Sequence, residues 1–196
     1  MRKRLLLFIA LGWVLLLIGD RGDELRVYQG ASIAVYVIAI GSIILLTGYS
    51  GQISLGHGAL MAFGGYVAAL CATNASLPLW FAFVMAALVT GIFGGILGFA
   101  AARLSGPYLA GTTLALAVGL PSLANQFSIL GGEQGIYLDP GLPPASLGES
   151  FSQYKWFFWI TTLAALITMF WLANILHSKY GRTWRALRSN DVAAQL

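Results

Sequence analysis

Few side chains in this 196-residue sequence are equipped for chemistry, and most of those cluster in a few stretches. The first stretch is Gly48-Tyr49-Ser50-Gly51-Gln52-Ile53-Ser54-Leu55-Gly56-His57-Gly58. It is glycine-rich, polar and uncharged, and it lies between two apolar runs. Gln52, Ser54 and His57 offer an amide, a hydroxyl and an imidazole at or beside the apolar runs, and the imidazole could contact a substrate. The plainer alternative is hydrogen bonding between helices for Gln52 and Ser54. For His57 the corresponding alternative is a ring satisfied at a helix start.

Other chemistries are poorly supported. Ser50 could serve as a nucleophile only with a histidine base within hydrogen-bond reach. His57 is close in sequence and His177 lies at the far end of the last apolar run. The string Gly48-Tyr49-Ser50-Gly51 matches the short G-x-S-G of rhomboid-type intramembrane proteases, a match that arises easily by chance in a glycine-rich chain. One cysteine, Cys71, excludes an intrachain disulfide, and with two distant histidines it builds no zinc cluster. No metal site is expected. The sequence contains no G-x-x-x-x-G-K-[ST] loop, so ATP binding through a P-loop is not expected, and no cofactor is expected in this chain.

The second informative stretch is the tail, Lys179 to Ala194. Arg182, Arg185 and Arg188 recur every third residue, with Trp184 and Leu187 between them. This spacing predicts a basic helix. Ser189 or Asn190 can cap a second short helix, with Asp191 in its first turn near the positive dipole end. Such a tail either lies on anionic lipid or docks a cytoplasmic partner.

The elements that carry these stretches follow from composition. Hydrophobic residues make up 58% and charged residues only 9%, with mean hydropathy +0.79. That is too little charge to cover a water-facing surface, since soluble domains carry roughly 25%. The apolar residues come in runs at about 5–18, 27–47, 59–72, 79–102, 108–130 and 156–176. An open sheet edge cannot face lipid, so the runs are read as helices despite the β-branched residues of the second. The expectation is an all-α integral membrane protein: a polytopic bundle of about six transmembrane helices with a glycine-rich broken segment at 48–58. The segment 1–196 is read as a single transmembrane domain and 177–196 as its cytoplasmic tail. Pro107 suits the first turn of the fifth helix, and Pro121 should kink or break it. Gly91, Gly95 and Gly94, Gly98 form small-xxx-small pairs suited to close packing between helices.

Orientation follows from the basic residues. With the start inside, Arg2, Lys3, Arg4, Arg103, Lys179, Arg182, Arg185 and Arg188 are cytoplasmic. Only Arg21, Arg26 and Lys155 are outside. The positive-inside rule therefore puts both termini in the cytoplasm. No Asp, Glu, Lys or Arg lies inside the runs, which argues against a pump built on membrane carboxylates. Apart from the tail there is no basic patch interleaved with aromatics, so nucleic acid is not an expected partner.

Three stretches together resemble one family. Leu46-Thr47-Gly48-Tyr49-Ser50-Gly51-Gln52-Ile53-Ser54-Leu55-Gly56-His57 is similar to the signature after the second span of branched-chain amino acid ABC permeases of the LivM type. Leu104-Ser105-Gly106-Pro107-Tyr108-Leu109-Ala110 with Thr112-Thr113-Leu114-Ala115 resembles the next, and Gly131-Gly132-Glu133-Gln134-Gly135-Ile136 resembles the external glycine pair. Gly58, Leu130 and Trp184 depart from the family pattern.

The resemblance implies a permease subunit of an importer in the bacterial inner membrane, itself without enzymatic activity. Its implied partners are a second permease subunit, two cytoplasmic ATP-binding subunits and a periplasmic substrate-binding protein. Gly181, Arg182, Arg185, Arg188, Asp191, Ala193 and Ala194 then belong to the ATPase-docking loop. Gly131, Gly132 and Gly135 face the binding protein, and Gln52, Ser54 and His57 are pathway candidates. The implied cargo is leucine, isoleucine and valine, or related small solutes such as urea or amides. Family members continue with further spans, so the chain is expected to be part of a longer architecture and inactive in uptake on its own. A secondary solute carrier and an intramembrane serine protease are the readings from other classes.

Overall fold

The structure is a computed structural model that describes residues 2–189, apart from 74, 76, 102, 105, 139–142, 145–146 and 149–150. The described residues are helical with irregular connections. The helices are α1 (Arg2–Arg21), α2 (Glu24–Ile43), α3 (His57–Thr73), α4 (Leu79–Ala101), α5 (Pro107–Ala124), α6 (Gln153–His177) and α7 (Lys179–Ser189). A π-helical turn, Ile44–Tyr49, continues α2, and two 3-10 turns, Ser128–Leu130 and Gly132–Gln134, follow α5.

The protein is an all-α polytopic membrane protein. Counting α2 together with its π turn, four helices among the described residues are long and apolar enough to cross a bilayer: Glu24–Tyr49, α4, α5 and α6. The expected number of about six also counts two weaker segments. One is α3, 17 residues long and apolar. The other is α1, whose 20 residues begin Arg2-Lys3-Arg4 and end Asp20-Arg21, leaving a short uncharged centre.

Two compact units divide the chain, one formed by 1–51 with 142–196 and the other by 52–141. In the first, α6 packs along α1 and α2 and meets α7 at its end. Its core is Val27, Ala31 and Phe158, flanked by Phe157 and Trp159. The Phe158 ring is seated against two glycines, Gly19 of α1 and Gly30 of α2. A Cβ on Gly30 would stand 2.7 Å from Phe158 Cε2. Close helix approach at small residues is how helices associate where the solvent is itself apolar. One end of this unit is tied by polar contacts. Lys155 Nζ donates to the Asp20 carbonyl at 2.7 Å and pairs with its carboxylate at 3.4 Å, and Ser152 Oγ donates to Glu24 Oε1 at 3.1 Å.

In the second unit α3 lies between α4 and α5 and packs on both. Ala59, Ala68, Ala69, Ala82 and Ala86 are buried, and Phe63 stacks on Phe93 with centroids 4.3 Å apart. Apart from Leu109, the buried apolar residues described in this unit are alanines, and many large apolar ones are outside: Ala82 is 0% exposed and Phe99 84%. That is the reverse of a core built in water, where large apolar side chains are the ones buried. Of the α4 glycines, Gly94 faces Leu60 of α3, whereas a Cβ on Gly91, Gly95 or Gly98 would meet nothing within 4 Å. Among the described residues, internal packing therefore accounts for Gly94 but not for the other three.

The fifth segment, expected from about 108 to 130 with a kink or break at Pro121, is shorter in the structure: its helix ends soon after that proline. Pro107 does open α5, as its missing donor favours. The helix then runs past Pro121 and stops at Ala124. Pro121 has no N–H to offer the carbonyl one turn back, which weakens the last turn. Gln126 N–H donates to the Leu123 carbonyl at 3.1 Å and Phe127 N–H to that of Ala124 at 3.1 Å. These tighter bonds end the helix, and residues 128–130 form a separate turn. The second short helix expected in the tail, with Asp191, Ala193 and Ala194, lies outside the described residues.

Candidate functional site: the glycine-rich link and the basic helix

The link expected to be broken is broken. Its first part is the π turn, where the Ser50 N–H reaches back to the Leu45 carbonyl. Gly51 then takes φ +71°, a left-handed conformation that favours glycine. Residues 51–56 have no regular structure, and α3 begins at His57.

Within the second unit two amides of the link donate to hydroxyls. Leu55 N–H donates to Thr113 Oγ1 at 2.9 Å, and Gly56 N–H donates to Ser54 Oγ at 3.3 Å. Thr113 Oγ1 in turn lies 3.0 Å from the carbonyls of both Leu109 and Ala110. Gly56 is buried, and a Cβ there would stand 3.3 Å from both the Cβ and the carbonyl oxygen of Thr113. Two sequence motifs thus meet: the link after α2 sits on the Thr112-Thr113 step of α5. Irregular backbone within a membrane needs partners from protein or water, and Thr113 supplies one for the Leu55 amide.

The three pathway candidates have different settings. Ser54 Oγ accepts a local amide and so helps to shape the turn into α3. His57 is half-buried at the first position of α3, and its Nδ1 has no hydrogen-bond partner among the described residues. Gln52 is exposed. Thr113 is the residue whose individual role sequence reasoning missed. Its signal was present in the Thr112-Thr113 pair, but no spacing rule ties it to a loop 58 residues away.

Gly131, Gly132 and Gly135 all have positive φ, at +82°, +56° and +71°. A Cβ on Gly131 would collide with the Gly135 carbonyl. The backbone path alone accounts for these three glycines.

In the first unit, α7 is the basic helix that the tail spacing predicts, and its arginines turn to backbone carbonyls. Arg182 Nη1 donates to the His177 carbonyl at 3.4 Å. Arg185 donates to the Gly181 and Leu176 carbonyls at 3.2 and 3.4 Å, and its guanidinium lies 5.8 Å from the Tyr49 ring centre. Arg188 donates to the Gly48 carbonyl. Gly181 is buried where a Cβ would run into the Leu176 carbonyl, so α7 folds tightly against the end of α6. Cations at helix C-termini complement the dipole and satisfy the last carbonyls.

No cluster of three His, Cys, Asp or Glu side chains able to hold a metal exists among the described residues. His177 Nδ1 is engaged by the Ala173 carbonyl at 2.8 Å.

Comparison with known proteins joins these observations. A family model described as branched-chain amino acid transport system / permease component matches residues 28–196. The chain is 28% identical over 214 residues to the high-affinity branched-chain amino acid transport system permease protein LivM of Salmonella typhimurium. That alignment covers 97% of this chain and 49% of the relative. It is 28% identical over 185 residues to the LivM permease protein of Escherichia coli K12, covering 82% of this chain and 43% of the relative. The chain thus spans about half the length of these curated relatives. No solved structure matches it. With the glycine-rich link, the Thr113 anchor and the basic helix all inside the matched region, the chain belongs to the branched-chain amino acid transport system permease family.

Proposed function

We propose that the chain is the membrane-spanning permease part of an ABC importer for branched-chain amino acids, with related small polar solutes such as urea or amides as the wider substrate class. The observation that carries this reading is the family match over residues 28–196. Energy comes from separate ATP-binding subunits, substrate from a periplasmic binding protein, and a second permease subunit completes the pathway. The protein sits in the bacterial inner membrane with both termini in the cytoplasm, as the distribution of basic residues indicates. The tail from 177 onward, with Gly181, Arg182, Arg185, Arg188, Asp191, Ala193 and Ala194, meets the ATPase. Gly131, Gly132 and Gly135 shape the turn offered to the binding protein. Gln52, Ser54 and His57 border the solute path, with Thr113 holding that segment in place.

The test is co-purification of the membrane-inserted chain with a candidate ATPase encoded beside it. Retention of the ATPase, lost when residues 179–189 are replaced by a glycine-serine linker, is the expected result. An ATPase that is never retained, together with solute uptake that follows an ion gradient while ATP is held constant, would establish a secondary carrier instead.

A further inference from the structure

We propose that Arg188 is a positioning residue that latches α7 onto the π turn at the end of α2, so that α7 sets the conformation in which the glycine-rich link begins. The helix ending at Ser50 leaves its last carbonyls without intrahelical partners. Arg188 donates to one of them, that of Gly48. The aliphatic stem of the same side chain lies over Gly51, with Cγ 3.0 Å from where a Cβ would stand. One turn earlier on α7, Arg185 places its guanidinium 5.8 Å from the Tyr49 ring centre, a distance at which a cation is attracted to the ring face. Two arginines three residues apart thus engage Gly48, Tyr49 and Gly51.

The arrangement gives Gly51 a second reason to be glycine besides its φ of +71°. A side chain there would push the Arg188 stem aside and lift the guanidinium from Gly48. A π turn is a local departure from the commoner helix and needs outside support to be the preferred form. Here that support comes from α7. Displacing α7 uncaps Gly48 and frees the left-handed turn at Gly51, where the irregular part of the link starts. That an ATPase is what displaces α7 rests on the importer reading; the latch itself does not.

The latch is tested by thiol labelling at Ser50→Cys, with Cys71→Ser in the background and the protein in native membranes. Arg188→Ala should raise the labelling rate about tenfold, the shift in a local opening equilibrium expected on losing a hydrogen bond to a charged group. Arg188→Lys, which keeps a cation with N–H donors but not the planar fork of the guanidinium, should fall between. Arg182→Ala should leave the rate unchanged, because that guanidinium serves the His177 carbonyl. A rate indifferent to Arg188→Ala overturns the proposal, and so does an equal acceleration by Arg182→Ala, which would mean only that α7 had loosened as a whole. If Arg188→Ala does not accumulate in the membrane, Arg188→Gln makes the same comparison, with faster labelling supporting the latch and the unaltered rate overturning it. No ATPase is needed, so this result and the fate of the importer reading are distinguishable.

Discussion

The amide of Leu55 donates to the hydroxyl of Thr113 across 58 residues of sequence, at 2.9 Å. The bond fixes an irregular stretch of backbone to a regular helix, and the hydroxyl remains within reach of the carbonyls of its own helix, at Leu109 and Ala110. Thr113→Val keeps the shape and removes the acceptor. It should lower stability by about 1 kcal/mol, the usual net worth of such a bond. Thr113→Ser should hold stability closer to the parent. Reversible unfolding in mixed micelles with increasing SDS measures the difference, and equal midpoints for the valine and serine variants would refute the anchor.

Phe158 and Gly30 form a similar pair in the first unit. Gly30→Ala forces a methyl against the ring, at 2.7 Å before relaxation, and should cost about 1–3 kcal/mol as overpacking does. Phe158→Ala removes the wedge and should cost about 3 kcal/mol. The two together should cost less than their sum, because the second removes the clash made by the first. Additive losses in the same unfolding assay would show that the two sites do not share a contact.

Lys155 and Asp20 predict a small effect. Their side chains are 27% and 62% exposed, and water and salt screen the pair. Lys155→Met should therefore cost no more than about 1 kcal/mol. The cost should shrink as salt is raised. A large loss that is insensitive to salt would point instead to the bond from Nζ to the Asp20 carbonyl.

Orientation can be read with single cysteines in a Cys71→Ser background. Tyr137→Cys, at a residue 86% exposed, should react with an impermeant thiol reagent in intact cells. Lys179→Cys, at the start of α7, should react only after permeabilisation. The opposite pattern would invert the assigned topology.

What the sequence determined by itself was the solvent, the helices and their approximate limits. Long uncharged runs such as 79–101 leave few options in a bilayer, because backbone polar groups must be satisfied within each span. Pro107 as a helix start and the spacing of Arg182, Arg185 and Arg188 were legible for the same reason: helix geometry is local and periodic. Gly51 and Gly131 were legible as breaks. What they accommodate was not: the Arg188 stem in one case and the Gly135 carbonyl in the other.

Tertiary structure alone decided where the polar groups are used. The sequence offered the tail arginines to lipid or to a partner, and the fold turns them to the carbonyls of Leu176, His177, Gly181 and Gly48. It offered Ser54 either to a solute or to a hydrogen bond between helices, and in the fold its hydroxyl accepts the local Gly56 amide. Thr113, half-buried on a largely apolar helix, became the anchor of the link because α3 and α5 pack together. The physical reason is one of range. Hydrophobic runs and backbone propensities act within a few residues, whereas the partner of a hydrogen bond depends on which helices come together, and in an apolar solvent that is set by the fit of small residues against neighbours far away in the chain.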